Sequence, residues 1–324
     1  MPPRKSVDEK LAELEDSVAG AEADEVVSVL GKALAERNYR VVAHAAHLAG
    51  ERLVYDCVPQ LIDAFEQLLD NAVKRDPNCL AKKAIMRALY ELDCDDADFY
   101  LAGIRYSQLE PVWGGTVDTA ADLRCSAAMG LVASGYPRAM IEVAALLTDS
   151  EAPVRSGAAR AIACGNPHDA EMLLRFKVLT GDAEALVIGD CFAGLLGIEP
   201  DESVDFVAVY LGSEDDALRE AAALALGESR LPRALDRLLE AWDEVFVPEW
   251  FRRVLVRAAA LHRSNESFAW LVGLAAEVNE KIATEIVEAL SIYRHKETLA
   301  DQLRAALARR SDPNPGIRFE ETWV

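Results

Sequence analysis

Long apolar runs are missing from this chain: none nears the ~18 residues that cross a bilayer. Its start, M-P-P-R-K followed by an acidic stretch, lacks the apolar core of a secretory signal. A membrane span and export by that route are therefore not expected. Positive charge is also scarce. Asp and Glu outnumber Lys and Arg by 55 to 34, a net charge of −21 that repels phosphate backbones and anionic lipid, so nucleic acid and membranes are disfavoured as partners. The six cysteines (Cys57, Cys79, Cys94, Cys125, Cys164, Cys191) include no C-x-x-C pair, which reads as reduced core thiols and a cytoplasmic setting rather than disulfides or a metal. No phosphate loop, dinucleotide-binding glycine fingerprint, nucleophile elbow or H-E-x-x-H is present. Carboxylate pairs such as Asp215 and Asp216 stand in polar turns where nothing raises a pKa. No catalytic residue and no cofactor is expected.

What the chain has in quantity is one unit, repeated. Residues 150–165 read S-E-A-P-V-R-S-G-A-A-R-A-I-A-C-G: a Pro-bearing acidic turn, a Val-Arg step, small residues at helical spacing and a Gly stop. Leu218, Arg219, Ala222, Ala223, Ala225, Leu226 and Gly227 return in the same relative places. Marking the position equivalent to Arg155 gives 40, 81, 124, 155, 187, 219, 252 and 283, with steps of 31–33 residues over most of the length. A second amphipathic pattern lies between the marks: residues 137–147, 168–179, 202–211, 232–242, 266–276 and 296–310. Two helices per constant step predict an all-α chain of stacked hairpins. Leu11, Leu14 and Val18 add a short helix at the N-terminus, whose expected role is to cap the open end of the stack.

These residues resemble the HEAT repeats, and among them the HEAT-like repeats named after phycobilisome lyases. Val154, Arg155, Ala158, Ala159, Ala161 and Ile162 carry the likeness, as do Leu218, Arg219 and the small residues that follow them. An acidic residue six before the Arg, as in Asp149/Arg155 and Asp118/Arg124, looks like that family's turn-Asp and helix-Arg pair. The resemblance implies a right-handed α-solenoid of about eight hairpins. The expected divisions are a capping helix over residues 1–22, the solenoid over 23–310 and a flexible tail over 311–324. Arg40, Arg124, Arg155, Arg219 and Arg252 would form a structural row along one face, paired with turn carboxylates. The row is expected to break at Ala81, Val187 and Ala283.

Four stretches are candidates for contact with something else. The insertion at residues 103–121 sets Tyr106 and Trp113 among the turn formers Pro111, Gly114 and Gly115, so it either packs on the body or faces a partner. The segment 248–263 concentrates Arg252, Arg253, Arg257 and Arg263 beside Trp250 and Phe251, and reads as a patch for an acidic partner at Trp250, Arg253 and Arg257. His44, His47 and Glu51 fall at i, i+3 and i+7 on one helix face, an acceptable metal-ligand spacing. No third and fourth ligand can be named for them, and no metal site is expected. Thr322, Trp323 and Val324 end the chain like a C-terminal ligand of PDZ domains.

The function expected from all this is a non-catalytic scaffold or adaptor whose concave face holds another protein. Two alternatives follow from resemblance alone: an assembly enzyme or chaperone of the bilin-lyase kind, and a HEAT-like DNA-repair protein. The deoxyhypusine hydroxylases, HEAT-type enzymes that hold iron with His-Glu pairs, are excluded, because no His-Glu dipeptide occurs here.

Overall fold

A computed structural model describes residues 5–323. Its fold is the all-α solenoid class, in two compact units that divide between Leu173 and Leu174.

In the first unit α1 (Val7–Ala19) precedes the hairpin of α2 (Ala23–Leu34) and α3 (Tyr39–Glu51). Then come α4 (Val58–Leu69), the single turn α5 (Ala72–Arg75) and α6 (Leu80–Glu91). α7 (Ala97–Ile104) is followed by strands β1 (Leu109–Val112) and β2 (Gly115–Asp118), and then by α8 (Ala121–Ala133). α9 (Ala139–Leu146) and α10 (Ala152–Ala163) close the unit, and α11 (Pro167–Thr180) carries the chain into the next. The second unit holds α12 (Ala185–Ile198), α13 (Pro200–Ala208), α14 (Asp216–Ser229), α15 (Pro232–Asp243) and α16 (Glu249–His262). It ends with α17 (Asn265–Ala275), α18 (Glu280–Leu290), α19 (Glu297–Leu307) and α20 (Asn314–Trp323).

Local chemistry starts these helices where they start. Ser6 and Glu9 form a reciprocal capping box on α1, and Asn38, Asp215, Ser264 and Asn279 accept first-turn N–H groups of α3, α14, α17 and α18. Proline occupies the first turn of α10, α13 and α15, where the missing N–H has no intrahelical partner to lose.

Packing then follows the small residues. In the first unit α3, α6, α8 and α10 lie side by side, and in the second α12, α14, α16, α18 and α20 do the same. Ala45, Ala46 and Ala49 of α3 and Ala158, Ala159 and Ala161 of α10 are fully buried at these seams. Gly227 shows how close the approach is: a Cβ there meets the backbone carbonyl of Ala258 on α16. Gly227→Ala should therefore cost about 1–3 kcal/mol by overpacking, read as a lowered Tm. A melting curve that does not move would contradict the close approach of α14 and α16.

In the first unit a lysine stands one residue past an expected position of the row. Asp76 stands six residues before Lys82, as Asp118 stands before Arg124, and Lys82 Nζ lies 2.9 Å from the Asp76 carboxylate. The position expected at Ala81 is thus one residue later, and the row does not break there. The cause is the irregular loop before α6, where Asn71, Asn78 and Cys79 take positive φ. Arg40 stands outside the row, exposed, and pairs with Asp8 of α1 at 3.0 Å. Arg155 donates to the turn carbonyls of Asp149 and Ser150 at 2.9 and 3.1 Å. In the second unit carbonyls and rings replace the carboxylates. Ser213 stands six before Arg219, so the guanidinium donates to Leu211 O at 2.6 Å and lies 3.8 Å from the Phe251 ring centre. Arg252 lies 4.8 Å from the Trp242 ring centre.

The expected flexible tail is corrected as well. α20 packs against α18 and α19, with Phe319 buried and Trp323 Nε1 donating to Val287 O at 3.1 Å. Pro313 and Pro315 start this helix rather than prolong an extended exit. Thr322 donates to Arg318 O within the helix, so this stretch is not the extended strand that sheet-edge recognition uses. Val324 lies outside the described residues.

Candidate functional site

The insertion between α7 and α8 is an antiparallel hairpin. Val112 pairs with Gly115, leaving Trp113 and Gly114 as the turn, and the φ of 93° at Gly114 is one that glycine takes without strain. Two strands alone are marginal in water, so what holds this pair must lie beneath it.

Beneath it is a connected polar network. Glu110 accepts from Asn78 N at 2.6 Å, Gln108 Nε2 at 2.7 Å and Thr119 Oγ1 at 2.9 Å. Gln108 also donates to Asp76 O at 2.9 Å and accepts from the Tyr106 hydroxyl at 2.9 Å. Arg124 closes the other side: it lies 2.6 Å from Asp118 and 3.1 Å from Asp149, and donates to Tyr106 O at 3.0 Å. The base of the hairpin is thereby tied to the loop before α6, to α8 and to the turn before α10. Burial alone would raise the Glu110 and Asp118 carboxyls, but these hydrogen bonds outweigh it and hold both below their ordinary values. The same burial pushes the Tyr106 phenol up. Tyr106 is half-buried, its ring edge-on to Phe65 and under Lys82.

Above the network the character reverses. Leu109, Val112 and Val117 are exposed, and Trp113 is fully so. The base is locked and the tip is apolar. The question the sequence left open between self-packing and exposure divides within one insertion. Trp113 was legible as a candidate and Asp118 as the partner of Arg124, but Gln108 and Glu110, which fix the hairpin's base, were not. Their partners Asp76 and Asn78 lie more than thirty positions away in sequence, although W-G-G between two short apolar segments is a hairpin signal.

The other candidates stand elsewhere. Trp250, Arg253 and Arg257 belong to α16 in the second unit. Trp250 is half-buried and packs on Phe251, while Arg257 reaches Glu220 at 3.2 Å and Glu285 at 3.6 Å, tying α16 to α14 and α18. Arg253 is exposed. His44 and His47 face separate carboxylates, Glu15 at 3.0 Å and Glu51 at 3.8 Å. Among the described residues no group of three or more His, Cys, Asp and Glu is placed to hold a metal ion. Burial raises the Cys57, Cys79, Cys125 and Cys191 thiols, to about 11, 12, 11 and 12. Cys164 departs from the core-thiol expectation, being exposed.

Comparison with known proteins adds a family over part of the chain. Residues 174–246 match the HEAT repeats, a span from α11 through α15. No curated protein sequence matches the chain. Among solved structures, the chain is similar to one in a homology model of the full-length AP-3 complex in an intermediate open conformation, at 12% identity. That alignment covers 97% of this chain and 71% of the other, with a TM-score of 0.43. A crystallised engineered protein aligns at 16% identity over 99% of this chain and 96% of its own, with a TM-score of 0.36.

Proposed function

We propose that this chain of HEAT repeats is a protein-binding scaffold that works by contact rather than by catalysis, with the β1–β2 hairpin as one of its contact points. A single observation carries the reading: a fully exposed Trp113, flanked by exposed Val112 and Val117, on a hairpin whose base is fixed by buried hydrogen bonds. An exposed indole gains free energy by entering an apolar pocket, and a fixed base means that little ordering entropy is lost when it does. Trp is among the residues that most often dominate interface energetics.

Photo-crosslinking tests this directly. Benzoylphenylalanine placed at position 113 in the protein's own host should give one discrete adduct, absent when the same group replaces exposed Arg138. Trp113→Ala should lose co-purification of that partner with Tm unchanged. In the free protein, the wild-type minus Trp113→Phe emission spectrum should be that of a solvent-exposed indole. A hairpin that yields no discrete adduct from 112, 113 or 117 is not a contact point.

A further inference from the structure

α3 and α6 set four side chains at the same helical spacing one repeat apart. On α3, Arg40, Ala43, His44 and His47 fall at i, i+3, i+4 and i+7 and share a face; on α6, Leu80, Lys83, Ala84 and Arg87 do the same. Each stripe ends in a carboxylate four residues on, His47 with Glu51 at 3.8 Å and Arg87 with Glu91 at 2.8 Å.

α1 reaches part of the α3 stripe. α1 is an acidic amphipathic helix that buries Leu14 and Val18 and sets Asp8 on Arg40 and Glu15 on His44, both at 3.0 Å. The α3 and α6 stripes together, with Glu91 and Asp122, line a groove of about 550 Å³ between Leu11 of α1 and Ser126 of α8. Leu80 and Arg87 are exposed in it. Lys83 meets Asp122 only at 3.4 Å, and the Asp122 side chain is largely in solvent. One member of each pair, Asp122 and Arg87, faces solvent, so both pairs are partly screened and Lys83 and Arg87 can take a further carboxylate.

We propose that the groove between α3 and α6 receives an acidic amphipathic helix of another protein, whose carboxylates meet cations there as those of α1 meet Arg40 and His44. The incoming apolar ridge rests on Leu11, Leu80 and Ala84, and its carboxylates meet Lys83 and Arg87. Lys83 and Arg87 stand out as an electrostatic target because the chain as a whole carries −21. The inference extends the protein-binding reading to a second surface. It stands or falls apart from the hairpin, since Trp113 does not line the groove.

The test uses the full chain and a fluorescein-labelled, hydrocarbon-stapled peptide with the sequence of residues 7–19, followed by fluorescence anisotropy. The wild type should bind it, more weakly as NaCl is raised, and should not bind a counterpart with Lys in place of every Asp and Glu. K83E/R87E should weaken binding by about tenfold or more through like-charge repulsion, with circular dichroism and Tm unchanged. If that variant fails to fold, K83Q/R87Q gives the same reading with a smaller change. Affinity that survives both substitutions overturns the assignment, because the peptide would then be displacing α1 from α3. Displacement by inorganic phosphate or unstructured polyglutamate as effective as by unlabelled peptide also overturns it, since charge alone would then be recognised.

Discussion

Asp76→Ala should lower the stability of the protein by about 3–5 kcal/mol, measured by urea denaturation. Asp76 and Lys82 are both fully buried, and the carboxylate accepts from Lys82 Nζ at 2.9 Å and from the N–H groups of Ala81 and Lys82 at 2.8 and 3.0 Å. Removing it strands an ammonium in an apolar site beside the Tyr106 ring and uncaps α6 in the same step. Lys82→Met in that background takes the stranded charge away. The double variant should therefore be more stable than Asp76→Ala alone, and its loss smaller than the sum of the single losses. A loss below about 1 kcal/mol for Asp76→Ala, typical of an exposed pair, would show that water reaches this site.

That pair also marks where the sequence stopped being readable. The stack itself was legible because its causes are local. Alanine at helical spacing, a turn acid six before a cation, and proline in a first turn are each visible within one repeat, and repetition separates them from chance. Lys82 escapes the pattern because most of the other repeats place Arg there, and the loop from residues 70 to 79 shifts the spacing by one. The hairpin was visible only as turn residues around Trp113; what fixes its base is Glu110 reaching Asn78 and Arg124 reaching Asp149, contacts that no short window contains. The tail misled for a similar reason. Pro313 and Pro315 suggest an exit, but Phe319 and Trp323 find their burial on α18, distant in sequence and adjacent in the stack.

Arg124 allows the strongest test of whether the hairpin base is one cooperative element. Its guanidinium is almost fully buried and joins three things: Asp118 at the end of β2, the Tyr106 carbonyl at the hairpin's entry, and Asp149 in the turn before α10. Arg124→Ala leaves two partly buried carboxylates facing a cavity, and should cost about 3–5 kcal/mol in urea or thermal melts. The pH dependence supplies an independent reading with a definite sign. The native-state pKa of Asp118 lies below the ordinary 3.8, because the N–H groups of Gln108 and Ala120 and the Arg124 guanidinium outweigh the upward push of burial. A group depressed on folding contributes stability in full above its unfolded pKa and loses it as pH falls through the folded one. Wild-type stability should accordingly fall below about pH 4, and Arg124→Ala should show a shallower fall there, since its Asp118 has lost one source of the depression. Equal acid slopes in the two proteins would mean that Asp118 is held by the backbone N–H groups alone. The hairpin, and with it Trp113, would then be positioned without Arg124.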